Sequence, residues 1–199
     1  MRIRIATSSS SSARREIPGC AILHGIEVDI LEDGALDLED DLLASLDFVI
    51  ASVHSRMGMG PDEMTRRIVR AVSHPLVTIL GHPTGRLLLG RRGYTFDIEK
   101  VARAAAANDT YLEINANAQR LDLEASLVRR AAGEGARFAI DPDAHSVRGL
   151  GDTFLGVTMA RRAGLTRDQL LNARDREEVQ RVLVNRKKSA LKRLTRARV

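Results

Sequence analysis

Leu76-Val77-Thr78-Ile79-Leu80-Gly81-His82-Pro83-Thr84-Gly85-Arg86 is the stretch on which the fold of this chain turns. An apolar, β-branched run stops abruptly at a polar cluster. Leu76–Leu80 suits a strand buried on both faces. Gly81 and Pro83 end it, so His82 falls at the C-terminal tip. Thr84, Gly85 and Arg86 follow and are set to hold an anion. Working outward, the pattern returns four more times. Ile22–Asp29 carries Glu27. Phe48–Val53 runs into His54. Tyr111–Asn115 carries Glu113 and ends in Asn115. Arg137–Ile140 runs into Asp141, Asp143 and His145. Each run delivers a metal-type ligand to the same end, as strands do on the C-terminal face of a β/α barrel.

Helical spacing fills the gaps between the runs. Leu38, Leu42, Leu43 and Leu46 share one face of Asp37–Leu46. Pro61–Val72 opens on Pro-Asp-Glu, and Asp97 is placed to N-cap an alanine-rich helix reaching Asn108. Leu121–Ala132 stops before Gly133 and Gly135, and Thr153–Ala163 stops at Gly164. Asp175–Arg193 reads as a long last helix. Strands alternating with such helices predict βαβ units and a parallel α/β sheet. Five strands are too few to close a barrel.

The chain has 199 residues, of which 44% are hydrophobic and only 3% aromatic, so its core is aliphatic. Cys20 is the single cysteine, which excludes an internal disulfide and fits a reducing cytoplasm. No apolar run approaches the ~20 residues of a membrane span, and the N-terminus has no apolar stretch of the signal-peptide kind. Ser8–Ser12 reads as linker, making residues 1–19 a flexible segment ahead of the domain. The net charge of +5 is unevenly placed: Arg186, Lys187, Lys188, Lys192, Arg193, Arg196 and Arg198 supply seven cations, and the rest of the chain stands at −2. Residues 186–199 therefore read as a basic tail, either a solvated helix end or an attractor of polyanions.

The chemistry lies at the strand ends. Glu27, His54, His82, Asp143 and His145 are carboxylates and imidazoles without a thiolate, a set suited to zinc, manganese or iron. Three of the five histidines directly follow apolar runs, whereas His24 and His74 do not and read as structural. Arg86, Arg91, Arg92 and Arg120 lie in loops after strands, and arginine's planar fork suits a phosphate. Glu113 and Asn115 are expected on opposite phases of their strand.

Six motifs in this order, Gly25-Ile-Glu-Val-Asp-Ile-Leu, Ala51-Ser-Val-His-Ser, Leu80-Gly-His-Pro-Thr-Gly-Arg-Leu-Leu, Glu113-Ile-Asn-Ala-Asn, Arg120-Leu-Asp-Leu and Asp143-Ala-His-Ser, resemble the PHP (polymerase and histidinol phosphatase) domain. The likeness is nearest to the C-terminal PHP domain of bacterial family X DNA polymerases and covers roughly Ile17 to Asn185. It implies a distorted, TIM-like (β/α)7 barrel with up to three metal ions at the strand ends. It places Glu27, His54, His82, Asp143 and His145 on ligand positions; Arg86, which follows His82 so closely, is expected to act on the substrate together with Asp143 and His145. It implies hydrolysis of a phosphoester, in the polymerase branch at a DNA 3′ end as a 3′–5′ exonuclease.

The family's His-x-His motif and its Thr-Asp-His motif have no counterpart in the chain. The expectation is thus a truncated PHP-type phosphoesterase domain over residues 20–185, a partial barrel missing its first two strands. It should hold one divalent Mn or Zn ion rather than three. Missing strands leave open sheet edges, hence an expected tendency to self-associate, with Met1–Ile5 as a strand for one edge. Two alternatives stand beside the exonuclease reading: a non-catalytic PHP scaffold that binds nucleic acid, and a histidinol-phosphate-type phosphatase.

Overall fold

The computed structural model describes residues 22–197; Met1–Ile5, the serine run and Cys20 lie outside them. Five strands form one parallel sheet in sequential order: β1 (Gly25–Asp29), β2 (Phe48–Ser52), β3 (Ile79–Leu80), β4 (Tyr111–Asn115) and β5 (Arg137–Asp141). Between and after them run α1 (Asp40–Ser45), α2 (Pro61–Val72), α3 (Ile98–Ala107), α4 (Ala125–Gly133), α5 (Thr153–Ala163) and α6 (Arg176–Ala197). Sequential parallel pairing without a reversal of strand order is compatible with part of a β/α barrel.

Local chemistry explains most boundaries. Pro61 opens α2 without losing a bond, since the first amides of a helix have no partner. Asp97 caps α3 by accepting from Lys100 N at 2.9 Å. Gly164 ends α5 at φ 82. The ladder of β3 is shorter than Leu76–Leu80. Pro75 has no N–H, and Val77 N donates back to His74 O at 3.1 Å, so Leu76 and Val77 sit in a turn. Thr78 N then reaches Val49 O at 2.8 Å and Gly81 N reaches Ala51 O at 2.9 Å.

Side chains alternate across the sheet. Ile26 and Val28 of β1 and Val49 and Ala51 of β2 are buried and join Met64, Ile68 and Val72 of α2 in the main core. Each of these side chains larger than alanine contributes about 1.5–3 kcal/mol on full burial. α5 presses close because Gly156 has no side chain: a Cβ there would stand 2.5 Å from Ile140 Cγ2. Glu27 and Asp29 take the opposite, concave face.

The lower end of that concave face is closed by α6. Val179 and Val182 pack on a second core of Ile79, Tyr111, Ala139 and Leu171. Arg186 donates to Asn108 O at 2.9 Å and also to the carbonyls of Asp109 and Val77, while Lys187 donates to Leu46 O at 2.9 Å. Those carbonyls precede β2, β3 and β4. The tail expected to begin at Arg186 is therefore mid-helix, and its first two cations fasten the sheet's lower rim.

The β5 edge is not bare, contrary to expectation. Leu170 bridges Phe138 in parallel, and the Asn172 side chain pairs with both backbone groups of Ile140. This removes half the ground for edge-to-edge self-association. Among the described residues no helix is long and apolar enough to cross a membrane.

Candidate metal centre

Glu27 projects from the upper part of β1, and His54 and His82 each stand two residues past the end of their strands. Parallel register brings the three tips together. His82 Nε2 lies 2.9 Å from Glu27 Oε1, and His54 Nε2 lies 3.5 Å from the same oxygen. One ligand atom from each falls within 4.8 Å of the other two. The imidazole rings meet edge to face, 5.1 Å between centroids. Two imidazoles and a carboxylate fit a divalent cation, whose binding requires the ring nitrogens facing Glu27 to be unprotonated.

This convergence needs Gly81. A Cβ at that position would lie 2.3 Å from Ser52 Oγ and 2.8 Å from Ile50 Cγ2. His82 follows at φ 25, in the left-handed region, and its N–H is held by the carboxylate of Glu113. Burial raises the Glu27 pKa, but hydrogen bonds from His54 and His82 outweigh it and hold the carboxyl well below its usual range. The hydrogen bond to Glu27 raises the His54 pKa against burial, and Asp29 adds to it. Glu113 behaves oppositely: full burial, with Asp141 nearby, pushes its pKa well up.

Asp143 and His145 stand outside the converged group. Asp143, at φ 47, places Oδ2 3.4 Å from Arg120 Nε and 3.4 Å from Asn115 Nδ2. His145 directs Nδ1 to Asp143 O at 2.8 Å and is 58% exposed. The sheet thus gathers three of the five expected ligands at one point, while the other two stand after β5, with Asp143 against Asn115 and Arg120.

Two sequence expectations are corrected. Residues two apart on a strand share a face, and Asn115 Nδ2 donates to Glu113 Oε2 at 3.3 Å, so both line the concave side. Arg86 is engaged by the protein itself: Nε donates to Arg120 O at 2.9 Å, Nη1 to Glu124 Oε2 at 3.1 Å, and Nη2 to Leu121 O. It braces the loop after β4. Arg120 is the arginine that meets the carboxylates, and its buried Nη1 has no partner among the described residues.

Sequence reasoning missed Asp29 and Arg67. Asp29 carries a signal, since period-two alternation puts it on the face of Glu27. Arg67 carries none: helical spacing alone does not reveal that it is only 2% exposed and donates to Leu31 O at 2.8 Å and Ser55 O at 3.0 Å. Those carbonyls belong to the loops after β1 and β2, which Arg67 ties together.

No family model matches the chain. Among curated proteins, the DNA polymerase/3′-5′ exonuclease PolX of Bacillus subtilis is 38% identical over 182 residues, covering 92% of this chain but 32% of PolX. A probable phosphatase of Thermoanaerobacter sp. (strain X514) is 34% identical over 167 residues, covering 79% of this chain and 66% of that protein. A probable phosphatase of Syntrophotalea carbinolica is 33% identical over 164 residues, covering 77% and 65%. The chain therefore spans a third of the one relative and just under two thirds of the others. These similarities support a PHP-type family relation.

Proposed function

The chain is a relative of PolX and of the probable phosphatases, and from that kinship we propose that it is a divalent-metal-dependent phosphoesterase of PHP type, acting on a nucleic-acid 3′ end as a 3′–5′ exonuclease does. The observation that carries this reading is the convergence of Glu27, His54 and His82 within 4.8 Å at the tips of three neighbouring strands. A cation held there supplies Lewis acidity toward a phosphoryl oxygen and lowers the pKa of attacking water.

The chain's own residues do the remainder. Glu27 offers a carboxylate kept ionised by the two imidazoles beside it. Glu113, held below His82, fixes the backbone of that ligand. Arg120 takes over the phosphate-facing role that the sequence suggested for Arg86, because its Nη1 has no partner among the described residues while Arg86 is engaged. Asp143 aligns Arg120, and His145, largely exposed, stands at the rim where a leaving group would take a proton. Phe154, 63% exposed, follows in the same segment and offers a ring on which an unpaired base would stack. That favours a nucleic acid over histidinol phosphate. A single cysteine suits the cytoplasm as the place of action.

The test sets a 3′-ended single strand and a small phosphomonoester side by side with manganese or zinc. Hydrolysis of the strand that chelator abolishes, and that His82→Ala loses, is the expected result. Strand binding without turnover at any metal concentration would move the assignment to a non-catalytic nucleic-acid scaffold.

A further inference from the structure

We infer that Asp29 is a positioning residue of the metal centre, holding His54 in the ring orientation and tautomer that aim Nε2 at Glu27 and His82. The inference rests on Glu27, His54 and His82 being a cation site.

The geometry starts on β1. Glu27 and Asp29 are two residues apart, so their side chains share the concave face. The ring of His54 lies across both. Its Nε2 faces Glu27 Oε1 at 3.5 Å, and its Nδ1 faces Asp29 Oδ1 at 2.5 Å. The Nε2 end is where His82 Nε2 also arrives, 2.9 Å from the same Glu27 oxygen. Asp29 contributes no atom to that convergence. Its carboxylate is an acceptor only. A neutral imidazole has one N–H; a cation bound beside Glu27 needs the Nε2 lone pair, and the proton then belongs on Nδ1, facing Asp29. Nε2 then keeps its lone pair, directed at the cation position. Removing such an outer carboxylate weakens metal affinity about 10–100-fold.

The two histidines differ in what holds them, and the difference explains why one needs Asp29. His82 is 3% exposed and its backbone N–H is fixed by Glu113. His54 lies beyond the end of β2 with its side chain 38% exposed. Among the described residues its ring has polar contacts only with Glu27 and Asp29. Without Asp29 the ring is free to turn about χ1 and χ2 and to present either nitrogen. Asp29 is itself well anchored. It pairs in register with Ser52, and its carbonyl accepts from Asp37 N at 3.0 Å.

Cobalt(II) alone, titrated into the chelator-stripped chain, is the probe, read by its visible absorption. Asp29→Ala should bind cobalt 10–100-fold more weakly than the wild-type chain. In a His54→Ala background the same change should cost nothing further, because Asp29 acts through that ring; a merely architectural role would cost the same factor in both. Long-range nitrogen NMR of the zinc-loaded chains should find His54 Nδ1-protonated and Nε2-coordinated in the wild type, and a mixture of ring orientations in Asp29→Ala. Circular dichroism of the metal-free proteins checks the fold. Asp29→Asn, of the same shape but uncharged, gives the reading if the alanine variant does not fold, and should also bind at least tenfold more weakly. Variants within twofold of wild type, or an equal loss in the His54→Ala background, would overturn the role of Asp29 while leaving the cation site standing. A wild-type chain that binds no cobalt would overturn the site and this role together.

Discussion

Asn172 stands in for a neighbouring strand at Ile140: its side-chain oxygen accepts from Ile140 N at 3.1 Å, and its amide donates to Ile140 O at 2.6 Å. A side chain here satisfies the two backbone groups that a further parallel strand would otherwise pair. Because Asn172 is partly solvated, the pair is worth about 1 kcal/mol. Asn172→Ala should lower stability by roughly that amount in urea denaturation, with an unchanged slope. A loss beyond about 3 kcal/mol would mean that the whole 170–173 segment detaches with it.

Arg67 should carry a far larger effect. Its guanidinium satisfies the buried carbonyl of Ile30 and the part-buried carbonyls of Leu31 and Ser55, and Met59 Sδ lies 3.4 Å away. Arg67→Met keeps the apolar stem and strands the carbonyls, an expected cost of about 3 kcal/mol. The same variant should weaken cobalt binding, since Ser55 directly follows His54. Stability close to wild type would show that water replaces the guanidinium.

At Gly81 the obstacle is space. Adding a methyl group forces Ser52 and Ile50 away, and with them the ends of β2 and β3. Gly81→Ala should cost about 1–3 kcal/mol and reduce cation affinity more than Ser52→Ala, which removes the nearest obstacle. Restoration of affinity in the Gly81→Ala, Ser52→Ala double variant is the expected outcome. A double variant no better than Gly81→Ala would place the clash elsewhere.

His74 supplies a pH dependence away from the site. Burial lowers its pKa, although Asp40 Oδ1 lies 3.1 Å from Nε2. Nδ1 accepts from Leu76 N at 3.4 Å, a role open only to the neutral ring. With the folded value below the unfolded one, the unfolded chain takes up the proton first as pH falls. Stability present above about pH 6.5 is then lost as pH drops through that value toward the folded pKa. Denaturation at pH 7.5 and 5.5 should show a smaller difference for His74→Gln than for the wild-type chain. A larger difference in the variant would reverse the assignment.

Strand ends were legible because apolar runs stop at Gly, Pro and polar residues, and this alone brings Glu27, His54 and His82 to one end of the sheet. The length of β3 was less so, since the turn at His74–Val77 depends on a backbone bond that composition does not encode. Arg86 and Arg120 look alike in sequence. Which one is engaged is decided by carbonyls some 34 residues away, brought close only by folding. Arg67 escapes notice and Arg186 reads as the start of a basic tail for the same reason. Each is held because the fold presents it with backbone oxygens.

The fastening of the lower rim by α6 has a consequence for synthesis on the ribosome. Leu46 must wait for Lys187, 141 residues later. At about 5–20 residues per second this is a delay of roughly 7–28 s. In the later part of that interval, once β4 has been made, the nascent sheet has Glu27, His54 and His82 but no floor, and the apolar faces of Ile79 and Tyr111 are open to whatever holds emerging chains.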